Sequence, residues 1–537
     1  MEPEIQNLPV FRVNQIGYAA GMPVHAAVLA CETAGVIDQD GNRIAEIKPD
    51  GLREDAASGD RVAKLSVGPL PEGRYFLENG RERREIRVCR KPWQQVLDAL
   101  VKGLYYQRCG CELKEIHAGR YAHPACHTAQ ARDWEDPSRS RHVTGGWHDA
   151  GDYGKYVGPG AVAASHMLYA YMLCPDSFQD PLNIPETGNG RPDVLSEVQV
   201  ELEWILQMQR SDGAFYHKLT KARFAPFILP QDDRETEYLM PVSHCATAAA
   251  CACLALASRV YATYDIAFSK RMLLAAQSAW DWLQEHPDFV PFTNPEGVQT
   301  GEYGDGSDRD ERFWAACELY AATGGKAYRT QAEELFALGQ NVTAFGWEDT
   351  GGFGALCCLF DLGEKAGDIL YGALKEAFLR QSREVLSLAG RSGYGTALDA
   401  DGYVWGSILP ILSNAAALLL SHRLTGEEEM LLAGMDQWHY ALGMNALDKC
   451  FVTGFGDRPV RFPHHRPSAA DDVEEPVPGF ISGGPNQCFP YDSTRERLKD
   501  TPPAKYYLDE TPSADTNEIA VYWNSIAILV AAYLNDI

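Results

Sequence analysis

From about Trp93 onward, apolar residues recur at spacings of three and four, the pattern of helices that bury one stripe. The segments run 92–110, 160–173, 193–210, 243–262, 267–285, 310–323, 328–339, 366–386, 408–423, 427–442 and 518–535. Loops rich in Gly, Asp, Pro and aromatics separate them, notably 286–309 and 443–517. About eleven or twelve helices with long loops between pairs point to an α/α toroid, in which the loops at one end build a cleft. An α-solenoid shares this periodicity, but the chain shows no clear repeat. The first 92 residues read differently. "FRVNQIGY", "VHAAVLA", "AKLSVG", "GRYFLENG" and "REIRVC" are short, β-rich and punctuated by Gly, Pro, Asp and Asn. That spacing predicts a small β-sandwich over 1–92, ahead of a helical domain over 93–537.

The 537 residues carry a formal net charge of −26. A surface this negative repels nucleic acid and anionic lipid and suits neutral or cationic ligands. "MEPEIQNLPV" lacks the basic and apolar regions of a leader peptide, so we expect a cytoplasmic protein, with a secreted mature form as the alternative. The apolar stretches at 243–262 and 518–534 are interrupted by polar residues, so no membrane partner is expected. The fourteen cysteines should then be mostly reduced, several of them serving as small core residues in "HCATAAACACLALA".

Chemistry is concentrated in "GGWHDAGDYGKYV" (145–157), where Asp149 and Asp152 stand three apart. Two acids this close resist joint ionisation and titrate as a pair. Gly145, Gly146, Gly151 and Gly154 would let a sugar approach the backbone, and Trp147, Tyr153 and Tyr156 offer ring faces. Inverting hydrolysis of an acetal needs one ionised carboxylate to take a proton from water and one protonated carboxyl to donate to the leaving oxygen. Asp149 and Asp152 suit the first task. Glu518 in "SADTNEIAVYWNS" suits the second, with Asp515 or Thr516 capping a helix whose first turn holds it. A Gly/Asp turn and an ordinary helix-start glutamate are the plainer readings. "FVTGFGDRPVRFPHHRPS" (451–468) adds His464, His465 and Arg466, which can hydrogen-bond sugar hydroxyls or pair with phosphate.

Together the three stretches resemble glycoside hydrolase family 9, the inverting cellulases. "DAGD" (149–152) is similar to that family's base motif, and "CFVTGFGDRPVRFPHHR" (450–466) to its histidine signature, with Cys450 at a position where a small hydroxyl or valine is usual. "YLD…EIAVYWNS" (507–525) is similar to its acid signature, with Ala514 in place of an aromatic. "FRVNQIGY" resembles the immunoglobulin-like domain that precedes many of these barrels. The resemblance implies a mainly α protein with an (α/α)6 barrel behind an immunoglobulin-like β-sandwich. It implies Asp152 as general base, Asp149 as holder of the attacking water and Glu518 as general acid. It also implies substrate contacts from His464, Arg466, Trp147, Tyr153 and Tyr522. The activity expected is endo-β-1,4-glucanase, with an exo-acting cellodextrinase or exo-β-glucosaminidase on short oligosaccharides as the alternative. We expect a monomer with no organic cofactor.

Two stretches suggest metals. "RCGCELKEIHAGRYAHPACH" (108–127) with His142 could place Cys109, Cys126, His127 and His142 in a tetrahedral zinc site. Cys111, His117 and His123 compete as ligands, and a Cys109–Cys126 disulfide or free thiols are the alternative. Some bacterial members of the resembled family carry a structural zinc here. "TGEYGDGSDRDERFWAACELY" (300–320) clusters Glu302, Asp305, Asp308, Asp310 and Glu311, oxygens suited to calcium. The family often binds calcium at such a stretch; Asp305, Asp310 and Glu311 are the ligands we expect.

Overall fold

The computed structural model describes residues 8–29 and 31–537, with residues 368 and 369 described by backbone alone. Most of the stretch read above for a leader (1–7) lies outside the described residues. Among the described residues nine strands come first: β1 Phe11–Arg12, β2 Tyr18–Ala19, β3 Val24–Leu29, β4 Ala34–Asp38, β5 Arg43–Ile47, β6 Arg53–Asp55, β7 Asp60–Val67, β8 Gly73–Glu78 and β9 Arg83–Cys89. They form two sheets, β1-β3-β7-β6 and β2-β9-β8-β4-β5. Alternating side chains such as Val24, Ala26 and Val28, Leu65 and Val67, and Ile86 and Val88 close a core between the sheets.

Twelve barrel helices follow: α1 Gln94–Tyr106, α2 Val157–Leu173, α3 Asp193–Gln207, α4 His244–Tyr261, α5 Ile266–Glu285, α6 Arg309–Thr323, α7 Lys326–Ala337, α8 Gly351–Leu356, α9 Asp368–Arg391, α10 Ile408–Thr425, α11 Glu428–Ala441 and α12 Val521–Asp536. Even-numbered helices form an inner ring: α12 packs on α2, α2 on α4, α4 on α6, α6 on α8, and α10 on α12. Odd-numbered helices lie outside, with α1 on α12, α3 on α2, α5 on α4, α7 on α6 and α11 on α10. This is an (α/α)6 barrel. The sequences divide in the same way. Inner α2, α4 and α12 are buried along nearly their whole length, whereas outer α5 and α7 bury one stripe. α10 is long and apolar enough to cross a membrane, and it too is an inner helix of the barrel.

α8 escaped the periodicity reading. Its sequence, "GGFGAL", has poor intrinsic helix propensity. The glycines are there for contact: a Cβ on Gly354 would lie 2.3 Å from the Phe313 ring, and one on Gly352 2.3 Å from the Ala344 carbonyl. The sandwich braces the barrel through a polar joint. Asp436 of α11 accepts from His25 at 2.7 Å and from Lys64 at 2.5 Å, and Lys505 reaches Asp60 at 2.6 Å. Ala27 and Val62 of the sandwich pack with Tyr403, two residues before a tryptophan of the cleft.

Candidate active site

The loops that precede the six inner helices meet at one end of the barrel around a cleft of about 790 Å³. The inner-helix N-termini therefore gather there, and their dipoles favour negative charge at that end. Asp149, Asp152, Glu518, His464, Arg466 and Tyr522 all line the cleft.

A short extended piece brings the three sequence motifs together. Glu518 does not lie in a helical first turn. The helix Ala514–Asn517 ends before it, Glu518 has extended φ/ψ of −70° and 160°, and α12 starts at Val521. Residues 518–520 bridge three neighbours: Glu518 pairs with His464, Ile519 with Ser482, and Ala520 with Ala150. Val521 N–H donates to the Asp149 carbonyl at 2.8 Å, and Arg466 N–H to the Gly151 carbonyl at 3.0 Å. Asp515 caps no helix; it accepts from Tyr491 N–H at 2.8 Å and from Thr494 at 3.1 Å, fixing another cleft loop. The glycines serve the protein's own contacts. A Cβ on Gly151 would sit 1.9 Å from the His464 carbonyl oxygen, one on Gly146 2.7 Å from Trp204, and one on Gly154 2.8 Å from Asp152.

The carboxyl groups have different surroundings. Asp149 Oδ2 accepts from the Tyr303 hydroxyl at 2.5 Å, while its buried Oδ1 has no partner among the described residues. Burial, with Asp152 nearby, pushes its pKa well up against the Tyr303 bond. Asp152 Oδ2 accepts from Gly154 N–H at 2.9 Å. Burial raises its pKa, but Arg466 and Lys218 pull the other way. Glu518 is pushed well above its ordinary value by burial and by the charges of Asp152 and Asp149. Burial draws His464 down to about 4. Its Nδ1–H donates to the Thr511 carbonyl at 2.7 Å, which leaves Nε2 as a neutral acceptor.

Several expected contacts are reassigned. Trp147 is 2% exposed and its indole N–H donates to Glu197 at 2.9 Å, so it is a core residue. Tyr153 is buried, donates to the Ile228 carbonyl and packs against His127 and His148 rather than lining the cleft. His465 is spent on Ser468 and Gln107 at 2.8 and 3.0 Å. Trp347, Trp405, Phe489 and Tyr491 take their place as ring faces in the cleft. The Gly-flanked aromatics in "FGWED" and "YVWGS" were the available signal.

The first metal-ligand cluster is Cys109, Cys126, His127 and His148, with donor atoms all within 4.8 Å of one another. His142 is exposed on the loop beyond Ser140–Arg141, and "GGW" carries His148 inward instead. Cys111, His117 and His123 lie outside the cluster; His117 bonds Asn183 and His123 its neighbour Pro124. No disulfide joins Cys109 to Cys126. The donor set fits a divalent ion of zinc type: two thiols, two imidazoles, and a His127 Nδ1 that is buried and unpartnered. Asp233 holds the other nitrogen of that ring at 3.2 Å, as metal-binding imidazoles require. Lys155 Nζ lies 3.3 Å from Cys109 Sγ and offsets thiolate charge. His148 immediately precedes Asp149, so the cluster anchors the loop carrying both aspartates.

The second cluster joins Asp305 and Glu311 with Cys245 instead of Asp310. Asp310 is turned to Thr350, accepting from its N–H at 2.7 Å, and Asp308 pairs with Arg312 at 2.6 Å. Asp305 Oδ2 and Glu311 Oε2 are buried with no partner among the described residues. The two oxygens suit calcium; a thiol ligand does not.

Comparison with known proteins agrees with this geometry. The model for glycosyl hydrolase family 9 matches residues 93–531. A cellodextrinase of Butyrivibrio fibrisolvens is 34% identical over 535 residues, covering 96% of this chain and 97% of its own length. A single mutant of the thermostable endoglucanase from Alicyclobacillus acidocaldarius superposes with a TM-score of 0.92 at 34% identity, covering 98% of this chain and 100% of that one. A Zn-binding triple mutant of a family 9 endoglucanase superposes with a TM-score of 0.90 at 31% identity, covering 96% and 99%.

Proposed function

The chain belongs to glycosyl hydrolase family 9, and on that premise we propose that Asp152, Asp149 and Glu518 carry out inverting hydrolysis of β-1,4-glucosidic bonds. The protein is a glycoside hydrolase of the cellulase class. The observation that carries the residue assignment is the contrast between two buried carboxyls in one cleft. Burial raises both, but at Asp152 the Arg466 and Lys218 cations and a backbone N–H oppose it, while at Glu518 the charges of Asp152 and Asp149 add to it and outweigh Arg466, so Glu518 is the group that holds its proton more strongly. Asp152 then takes a proton from water held by the free oxygen of Asp149. Glu518 donates its proton to the departing oxygen. His464 and Arg466 bind the sugar beside the broken bond, with Tyr522 and the cleft tryptophans supplying ring faces.

The leading reading is an endo-acting β-1,4-glucanase. The full-length likeness to a cellodextrinase supports a second reading, exo-acting trimming of short oligosaccharides. A product time course on cellohexaose, with carboxymethyl cellulose viscosity in parallel, separates them. Mixed mid-length products with a fast viscosity drop support the first; stepwise loss of one small unit at constant viscosity supports the second. No product from either substrate contradicts both.

Zinc at the Cys109–Cys126–His127–His148 cluster, with calcium on the oxygens of Asp305 and Glu311, completes the reading; neither ion takes part in the chemistry. The fourteen unpaired cysteines support a reducing compartment, the cytoplasm, where a monomer would act on soluble oligosaccharides. Cell fractionation and light scattering check both points; a secreted or oligomeric enzyme would contradict them.

A further inference from the structure

One segment of the cleft wall is not accounted for by the catalytic machinery. Residues 221–233 leave the strand Lys218–Thr220, run past the cleft mouth and end in the turn Pro230–Asp232. Phe224 and Phe227 on this segment are 48% and 41% exposed. Two large apolar rings held in water at a cleft mouth are costly unless something covers them. Phe224 lines the same cleft as the three carboxyls.

Both rings are held in place from beneath. The Arg466 guanidinium lies 5.7 Å from the Phe224 ring centre and 5.5 Å from that of Phe227. Arg466 in turn donates to the Ala225 carbonyl at 2.8 Å and to the Gly151 carbonyl at 2.8 Å. Phe227 also meets the His464 ring edge-on at 5.2 Å. The segment is therefore fixed to both the histidine loop and the base loop.

Its two ends are tied to each other. Lys221 at the start pairs with Asp233 at the end. The same Asp233 carboxylate accepts from His127 Nε2 at 3.2 Å. His127 belongs to the cysteine–histidine cluster, so Asp233 closes the segment into a strap and anchors it to that cluster.

We propose that the 221–233 strap is a sugar subsite: Phe224 and Phe227 stack on pyranose rings of a bound β-linked gluco-oligosaccharide, and Asp233 positions them by tying the strap to the metal-ligand cluster. This inference rests on the glycosidase reading above. The flat C–H faces of an all-equatorial pyranose match the apolar faces of the two rings. Asp233 touches no sugar; it is a positioning residue.

The test uses the full chain with Glu518→Gln, so that cellohexaose binds without turnover, and reads affinity by isothermal titration calorimetry. Phe224→Ala and Phe227→Ala should each weaken cellohexaose binding about tenfold. Asp233→Asn should weaken it alone, yet add little once both rings are gone, because it acts through them. In the active enzyme the ring substitutions should raise KM roughly tenfold with kcat kept within about twofold. Phe224→Leu and Phe227→Leu keep bulk and lose the ring face, and carry the test if the alanine forms melt early. Unchanged affinity in the ring variants, or a full additional loss from Asp233→Asn on top of them, would overturn the proposal while leaving the glycosidase reading intact. Failure of the parent Glu518→Gln form to bind cellohexaose, with no cleavage by the wild type, would overturn both.

Discussion

Asp152 and Glu518 are both carboxylic acids, both buried, both face one cleft and both feel the Arg466 cation, yet the balance of charge around them differs. Arg466 and Lys218 stand near Asp152, and a backbone N–H is fixed on its Oδ2. Glu518 stands on a three-residue extended piece, where the charges of Asp152 and Asp149 push its pKa up and outweigh the opposing pull of Arg466. Burial raises both pKa values, so burial alone does not assign roles. The balance of neighbours does: Arg466, Lys218 and a backbone N–H offset much of the burial at Asp152, whereas two carboxylates add to it at Glu518 and favour its protonated form.

The largest effects should come from removing either group. Glu518→Gln and Asp152→Asn are each expected to lower kcat on cellohexaose by about 10³-fold or more. The two should then part on an aryl cellobioside whose leaving group needs no proton. Glu518→Gln should recover most of its rate there and Asp152→Asn should not; equal recovery would erase the distinction between them.

Gly151→Ala attacks the junction that brings the two sides together. Its Cβ would fall 1.9 Å from the His464 carbonyl, so base loop and histidine loop must separate. We expect kcat to fall roughly tenfold to a hundredfold with a melting point several degrees lower, checked by kinetics and calorimetry. Wild-type behaviour would show that the three motifs do not depend on that contact.

Cys109→Ser tests the anchor under the base side alone. Metal analysis after exhaustive dialysis should find about one zinc per wild-type chain and clearly less in the variant, with a lower melting point. Equal zinc in both proteins would remove Cys109 from the site.

The smallest and sharpest effect is on pH. Activity needs Asp152 ionised, so it rises as pH passes the Asp152 pKa; it needs Glu518 protonated, so it falls as pH passes the Glu518 pKa. Lys218, itself lowered to about 7 by burial, pulls the Asp152 pKa down but is not among the influences on Glu518. Lys218→Met should therefore move the acid limb of kcat/KM up by a fraction of a unit and leave the alkaline limb in place. Movement of both limbs, or of the alkaline limb alone, would contradict the neighbour assignment.

Much of this was legible in the sequence, for a physical reason. Long segments such as 243–262 and 267–285 show strong apolar recurrence because a barrel helix must bury at least one stripe, and their bounds fell within a few residues of α4 and α5. α8 was missed because its glycines answer to Phe313 and Ala344, contacts distant in sequence. Asp149, Asp152 and Glu518 stand out as motifs, but the sequence points to a helix for Glu518 because Asp515 and Thr516 look like caps. The pull of Tyr491 and Thr494 on Asp515 is tertiary. The metal-ligand cluster shows the same limit. Cys109, Cys126 and His127 are readable from residue type, whereas the sequence points to His142 for the fourth ligand and His148, beside the acids, carries no signal of its own. Only the fold separates a histidine turned inward by "GGW" from one left on an exposed edge.

The most direct test of the central claim is the anomer released first. Proton NMR of a cellohexaose digest, recorded within the first minutes before mutarotation, distinguishes the two new reducing ends. With Asp152 delivering water opposite the bond that Glu518 protonates, the α-anomer should appear first and equilibrate later. Initial release of the β-anomer would mean a retaining route through a covalent intermediate, and Asp152 and Glu518 would not divide the labour as general base and general acid.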